Sequence, residues 1–140
     1  MRINKFVLDA NIWVSYFIKK NELKIIDIIT ENKLSIYYCD ELITEVKRVL
    51  AYPHLVKYNV NIKQSIEIIK IIGKPYILNY PIKNYIKDDS DDSYLIALAL
   101  QTNSGFITSG DSHILSQKEK LEKQFTKLKI ITKTEFEKMF

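Results

Sequence analysis

The strongest constraint on the fold is an apolar run near the beginning of the chain that ends abruptly in a carboxylate. Phe6, Val7 and Leu8 precede Asp9, and a small residue, an amide and a second apolar run follow. A continuous apolar run bounded by a turn signal is typical of a strand buried in a parallel sheet. Because ligands of open α/β sheets bind at the carboxyl ends of the strands, Asp9 is predicted to lie at a ligand-binding edge.

Composition narrows the class of protein. The 140 residues suit one domain spanning 1–140, and 46% hydrophobic residues with only three glycines and three prolines predict a compact globule. A net charge of +4 is compatible with a polyanionic partner, although genome base bias explains a Lys-rich, Ile-rich chain as well. Cys39 is the only cysteine, which excludes an intramolecular disulfide and a cysteine-based zinc site. No signal-peptide pattern or membrane-length apolar run occurs, so a cytoplasmic protein without a membrane partner is predicted.

Strand-like and helix-like segments alternate, which predicts an α/β fold with a mainly parallel sheet flanked by helices. Strands are predicted at 3–8, 34–38, 76–78, 105–111 and 128–131. Helices are predicted at 12–19, 23–32, 41–51 with Asp40 as N-cap, 62–72, 87–100, 117–123, and after a capping box at 132–135.

Two of the predicted strands end in carboxylates, Asp9 and Asp111. In a parallel sheet both would lie at the same edge. Each could also simply cap a turn or the following helix, where Asp is common.

Glu45 lies at the boundary of a buried helix face. The apolar residues of its helix span an arc of about 120°, and Glu45 lies roughly 40° beyond one edge of that arc. They are Leu42, Ile43, Val46, Val49 and Leu50. Glu45 should therefore be partly buried, either as a site residue, as a snorkelling side chain or as half of a salt bridge.

Asp92 continues a buried helical stripe, where a carboxylate is unfavourable unless a cation or hydrogen-bond donors meet it. The stripe consists of Leu95, Ile96, Ala99 and Leu100. A capping box from Asp89 to Asp92 is the simpler interpretation. It does not account for all four acids at 88–92, whose mutual repulsion favours a compensating metal ion.

Asp9, Glu45, Asp92 and Asp111 could thus converge at one edge of the sheet. Carboxylate oxygens select hard cations, so Mg²⁺ or Mn²⁺ is predicted rather than zinc. Such ions activate water for attack on a phosphodiester and require no protein nucleophile.

The chain resembles the PIN-domain ribonucleases, in particular the VapC-like branch that acts as the toxin in bacterial and archaeal toxin–antitoxin pairs. Four segments, in order and at the expected separations, carry the resemblance: 7–15 (VLDANIWVS), 41–50 (ELITEVKRVL), 89–99 (DSDDSYLIALA) and 106–111 (FITSGD). The resemblance implies an acidic core of Asp9, Glu45 and Asp92, with Asp111 as a fourth acid of more variable role.

Supporting residues follow from the same resemblance. Asn11 and Ser109 match polar positions that often assist the site. Ser90 replaces the proline that the third motif usually contains, which leaves the local turn open. Either Asp91 or Asp92 could face the metal, and helix phase favours Asp92.

The resemblance also implies a three-layer α/β/α fold with a parallel five-stranded sheet. Family members cleave RNA with Mg²⁺ or Mn²⁺ and leave a 5′-phosphate and a 3′-hydroxyl. They often form homodimers, and the toxins are silenced by a cognate antitoxin protein. These are expectations for the present chain.

Lysines near the end of the chain could form a basic surface along which RNA binds. Because Glu119 and Glu122 are interleaved with them, a solvated helix face is the simpler interpretation. The lysines are Lys118, Lys120, Lys123, Lys127, Lys129 and Lys133. His54 and His113 lack paired metal-ligand spacing and are interpreted as incidental.

Other functions fit the residues less well than a ribonuclease does. A haloacid-dehalogenase-like phosphatase needs a second acid where Asn11 stands. A phosphorylated receiver domain needs an Asp at the end of its third strand, where the segment 76–79 ends in an amide. A PIN fold that only binds RNA or a protein partner is the main alternative.

Overall fold

The computed structural model describes residues 4–83, 85 and 92–140. Its centre is a five-stranded sheet in which every pair of neighbouring strands is parallel. The strands are β1 (Lys5–Leu8), β2 (Ser35–Tyr38), β3 (Lys74–Pro75), β4 (Phe106–Thr108) and β5 (Lys129–Ile131), in the order β3-β2-β1-β4-β5. The predicted parallel five-stranded sheet is confirmed.

Helices flank the sheet in a three-layer α/β/α arrangement. They are α1 (Ala10–Ile18), α2 (Glu22–Glu31), α3 (Asp40–Leu50), a 3₁₀ helix (Pro53–Tyr58), α4 (Ile62–Ile72), α5 (Ser93–Thr102), α6 (Ser112–Ser116), α7 (Lys118–Gln124) and α8 (Lys133–Lys138). Helices α1 to α4 contact one another, whereas α5 packs against β1, β2 and β4. None of the helices in the described part of the chain is long and apolar enough to cross a membrane.

The strand order reverses between β1 and β4. The chain moves outward from β1 through β2 to β3, and then crosses to β4 and β5 on the other side of β1. Right-handed crossovers in opposite directions place their helices on opposite faces of the sheet. The carboxyl ends of β1 and β4 are therefore a topological switch point, where open α/β sheets form their ligand crevice.

The core explains why β1 lies at the centre. The Phe6 ring stacks on Phe106 of the neighbouring β4, with 4.8 Å between ring centroids, and meets Phe136 of α8 edge-on at 5.3 Å. Val7 and Leu8 are also fully buried. Burial of this run on both faces of the sheet confirms the prediction made from its lack of alternation.

Several predicted boundaries are wrong. The third strand lies at Lys74–Pro75 rather than 76–78, and Cys39 rather than Asp40 is the N-cap of α3. β4 ends at Thr108, so Asp111 lies beyond the strand as the N-cap of α6, a helix that the sequence did not predict. The predicted beginning of α5 at 87–91 lies outside the described residues. By contrast, the Thr132–Glu135 capping box of α8 is present.

Candidate active site

Asp9 follows β1 directly and is held at the switch point by the neighbouring strand. Its backbone N–H donates to the carbonyl of Thr108 at 2.9 Å, and its Oδ2 accepts a 2.7 Å hydrogen bond from the Ser109 hydroxyl. Ser109 is itself anchored to β5, because its N–H donates to the Ile131 carbonyl at 2.9 Å. Asp9 is only 2% exposed. Three adjacent strands thus position one buried carboxylate.

The pKa of Asp9 is raised to about 6, chiefly because burial disfavours the charged form. The negative charges of Glu45 and Asp111 raise it further, while hydrogen bonds from Ser109 and the Ala10 backbone lower it. The net effect of these opposing contributions is that ionising Asp9 costs more free energy than ionising an exposed aspartate. A bound cation would reverse this balance.

Asp111 has a structural role as well as a place in the site. Its Oδ1 accepts from the backbone N–H of His113 at 2.7 Å and of Ile114 at 3.4 Å, so it caps α6. Its own N–H donates to the Ser109 hydroxyl at 3.0 Å. The simpler interpretation of Asp111 as a helix cap is therefore correct, and Ser109 links this cap to the Asp9 carboxylate.

Asp92, Asp111 and His113 form a compact group of possible metal ligands. One ligand atom from each lies within 4.8 Å of the others. Asp92 is buried immediately before α5. It is the N-cap of α5. The capping box proposed as the simpler interpretation begins at residue 89, which lies outside the described residues.

His113 is interpreted as incidental from the sequence, whereas the structure places it in this group of possible metal ligands. No paired spacing indicates this placement, because its neighbours in the group come from a different helix and from the cap of its own helix. The available signal was its position two residues after Asp111.

Glu45 is partly buried on α3, as predicted, with 23% of its side chain exposed. The Tyr94 hydroxyl donates to its Oε1, and Arg48 lies 3.5 Å from its Oε2. Burial and the Glu45 charge raise the pKa of the Tyr94 phenol, which therefore stays protonated and remains a donor. The salt-bridge interpretation of Glu45 is thus also correct, and Tyr94 fixes the carboxylate from α5.

One cleft brings most of the predicted residues together. It is lined by Asn11, Glu45, Arg48, Val49, Tyr52, Asp92 and Asp111. Asn11 is exposed at this cleft. Asp9 and Ser109 are buried and are not among these lining residues, and they connect to it through the Ser109 hydrogen bond to Asp111. Asp91 lies outside the described residues.

The compact group fits a divalent cation. Asp92 and Asp111 supply carboxylate oxygens, which suit Mg²⁺ and Mn²⁺, and His113 adds a nitrogen ligand that Mn²⁺ tolerates better than Mg²⁺. Asp9 and Glu45 are not members of this group. The pKa of Asp9 is raised chiefly by burial and in smaller part by the charges of Glu45 and Asp111, and a nearby cation would favour its ionised form.

Two of the lysines near the end of the chain, Lys118 and Lys133, contact other residues of the fold. Lys118 lies 3.3 Å from Glu122 and donates to the Ile130 carbonyl at 2.6 Å. Lys133 lies 4.2 Å from the centroid of the Tyr16 ring. Both lysines are partly buried and have partners within the fold, so these contacts test neither the solvated helix face nor an RNA-binding surface.

Comparison with known proteins adds independent evidence. Residues 5–113 match the family model described as PIN domain, a range that contains Asp9, Glu45, Asp92, Asp111 and His113. An uncharacterized protein of Methanocaldococcus jannaschii is 29% identical over an alignment 140 positions long, which covers 94% of this chain and 88% of that protein.

Proposed function

The chain belongs to the PIN domain family, whose members are usually nucleases, and we propose that it is a metal-dependent endoribonuclease. The observation that carries the proposal is that Asp92, Asp111 and His113 each place a ligand atom within 4.8 Å of the others. Glu45 lines the same cleft as Asp92 and Asp111. A buried Asp9 with a pKa raised to about 6 adds a carboxylate that a cation would stabilise. Asp9 and Asp92 are both buried, an arrangement that is costly for carboxylates and that a bound cation would favour.

In this proposal Asp9, Glu45, Asp92 and Asp111 hold Mg²⁺ or Mn²⁺, with His113 as a further candidate ligand. The bound ion supplies positive charge that activates water and stabilises the charge developing on the phosphodiester. Ser109 orients the Asp9 carboxylate by its 2.7 Å hydrogen bond. Tyr94 orients Glu45 in the same way, and Asn11 offers an exposed amide donor to a phosphate oxygen.

The finer aspects of the proposal rest on the resemblance of the four sequence segments. Hydrolysis would leave a 5′-phosphate and a 3′-hydroxyl on the RNA. The chain would act as the toxin of a toxin–antitoxin pair in the cytoplasm. A cognate antitoxin would silence it, and the active form would be a homodimer or a higher homo-oligomer.

Cleavage of a mixed RNA pool tests the proposal. Purified protein is incubated with Mg²⁺, with Mn²⁺ or with chelator, beside Asp9→Asn and Asp92→Asn. We expect metal-dependent cleavage that both substitutions reduce by about a hundredfold or more, since each removes a charged ligand at nearly constant shape. Asp27→Asn, at an exposed position of α2, is the matched control and should cleave like the wild type.

The results separate the competing functions. Cleavage that persists in both variants would show that another centre, or a contaminant, is responsible. If folded wild-type protein binds RNA but never cuts it, the chain is a binding module and the nuclease proposal is wrong. Release of phosphate from a monoester, without cleavage of RNA, would instead indicate a phosphatase.

A further inference from the structure

Arg48 carries the positive charge of an otherwise acidic cleft. Among the described residues that line the cleft with Asp92 and Asp111, Arg48 is the one cation. It also lines an adjacent cleft, together with Asp40, Glu41, Thr44, Glu45 and Tyr94. The guanidinium therefore stands between two depressions that are otherwise lined by neutral and acidic side chains.

The guanidinium is held in place but remains accessible. It donates to the Tyr52 hydroxyl, lies 5.6 Å from the centroid of the Tyr52 ring, and reaches Glu45 Oε2 at 3.5 Å. Even so, 58% of the Arg48 side chain is exposed. Because Arg48 is mostly exposed, its ion pair with Glu45, three residues away on the helix, contributes little to stability. The contacts of Arg48 with Tyr52 position the guanidinium beside the cleft.

RNA presents a difficulty to an acidic site, because the carboxylates repel its phosphates. A guanidinium has five N–H donors in a planar fork that matches two phosphate oxygens. The contacts to Tyr52 and Glu45 occupy only part of this capacity. Arg48 can thus keep its hydrogen bond to the Tyr52 hydroxyl and still donate to a phosphate oxygen.

Glu45 links Arg48 to the metal site, since the same carboxylate pairs with Arg48 and is a proposed metal ligand. We infer that Arg48 is the phosphate-binding residue of this nuclease site: it neutralises Glu45 in the metal-free protein and binds an RNA phosphate when Glu45 binds the metal ion. This inference rests on the proposed ribonuclease function.

Two titrations on the same variants test the inference. The first measures binding of a labelled single-stranded oligonucleotide of mixed sequence, with hydrolysis-resistant phosphorothioate linkages, in Mn²⁺ at several salt concentrations. Arg48→Ala should bind about tenfold more weakly, because a charge-assisted bidentate contact is lost. The slope of log affinity against log salt should fall by about 0.7, the value for one phosphate contact on a single strand.

The second titration measures Mn²⁺ affinity without RNA. Arg48→Ala should bind Mn²⁺ at least as tightly as the wild type, because a positive charge beside the site has been removed. Damage to the fold would weaken both interactions, whereas the inference predicts that only RNA binding weakens. Arg48→Lys keeps the charge and should retain most of the salt slope while losing part of the affinity.

Lys47→Ala is the matched control, since Lys47 is exposed on the same helix and lines neither cleft. It should leave both titrations nearly unchanged. If Arg48→Ala binds the oligonucleotide with wild-type affinity and salt slope, the inference is wrong while the nuclease proposal stands on its cleavage assay. If Arg48→Ala loses both Mn²⁺ binding and RNA binding, Arg48 has a structural role and the inference is wrong. A wild-type protein that neither binds nor cleaves RNA would overturn both proposals.

Discussion

Asp9, a proposed metal ligand, is a buried carboxylate that opposes the stability of the fold around it. Its carboxylate is almost fully buried, and Glu45 and Asp111 add negative charge to its surroundings. A group whose pKa is raised on folding binds its proton more tightly in the folded state than in the unfolded state. The metal-free fold therefore loses stability as the pH rises from about 4 to about 6, and that loss persists at higher pH.

Asp9→Asn should relieve this penalty. In chelator at pH 7.5, we expect the variant to be more stable than the wild type by on the order of 2–3 kcal/mol, and the difference should nearly vanish at pH 4. Urea unfolding at the two pH values measures it. Asp27→Asn, at an exposed position, should change stability little at either pH. A difference between Asp9→Asn and the wild type that does not depend on pH would contradict the assigned pKa.

At the scale of single elements, the position of the candidate site depends on close packing where a helix joins a strand. Gly73 joins α4 to β3, and a Cβ at this position would lie 2.7 Å from the Ile69 carbonyl oxygen and 2.8 Å from Tyr38 Cδ1. The Ile69 oxygen belongs to the backbone, so moving it aside would require a shift of helix α4. The close approach of α4 to the sheet matters for the site because α4 packs against α3, which carries Glu45 and Arg48.

Gly73→Ala should therefore destabilise the protein by about 1–3 kcal/mol, the usual effect of forcing a methyl group into a packed interior. A Cβ added at Gly110 would meet no atom of the described residues within 4 Å, apart from its chain neighbours. The φ of Gly110 is not positive either, so Gly110→Ala should be nearly neutral. Urea denaturation of both variants measures the contrast. Equal stability of the two alanine variants would show that the α4–β3 junction is less tightly packed than described.

Elements bounded by strong local signals were predictable from the sequence. Asn61 and Gly73 mark α4 at Ile62–Ile72, and those bounds agree with the prediction. β3 was misplaced because the apolar segment 76–78 resembles a strand more than Lys74–Pro75 does. Pairing with Tyr37 and Tyr38 of β2 decides the position of this edge strand. The five-residue helix α6 was missed because it is too short to show a period.

For the molecule as a whole, one reversal of strand order creates the site. Asp9 after β1 and Ser109 after β4 meet because these strands are neighbours in the sheet, although 100 residues separate them in the chain. This convergence was predictable, since carboxyl ends of parallel strands share an edge. The contact of Glu45 with Tyr94 and the approach of His113 to Asp92 were not. Each depends on side-chain placement between elements that no sequence spacing encodes.

The central claim is that this edge of the sheet holds a divalent cation, and calorimetric titration with Mn²⁺ tests it most directly. The wild type should bind Mn²⁺, Asp92→Asn should bind it at least about tenfold more weakly, and the exposed Asp27→Asn should match the wild type. Circular dichroism of each variant confirms that it is folded. Mn²⁺ binding of equal strength in wild type and Asp92→Asn, or none in the folded wild type, would contradict the account.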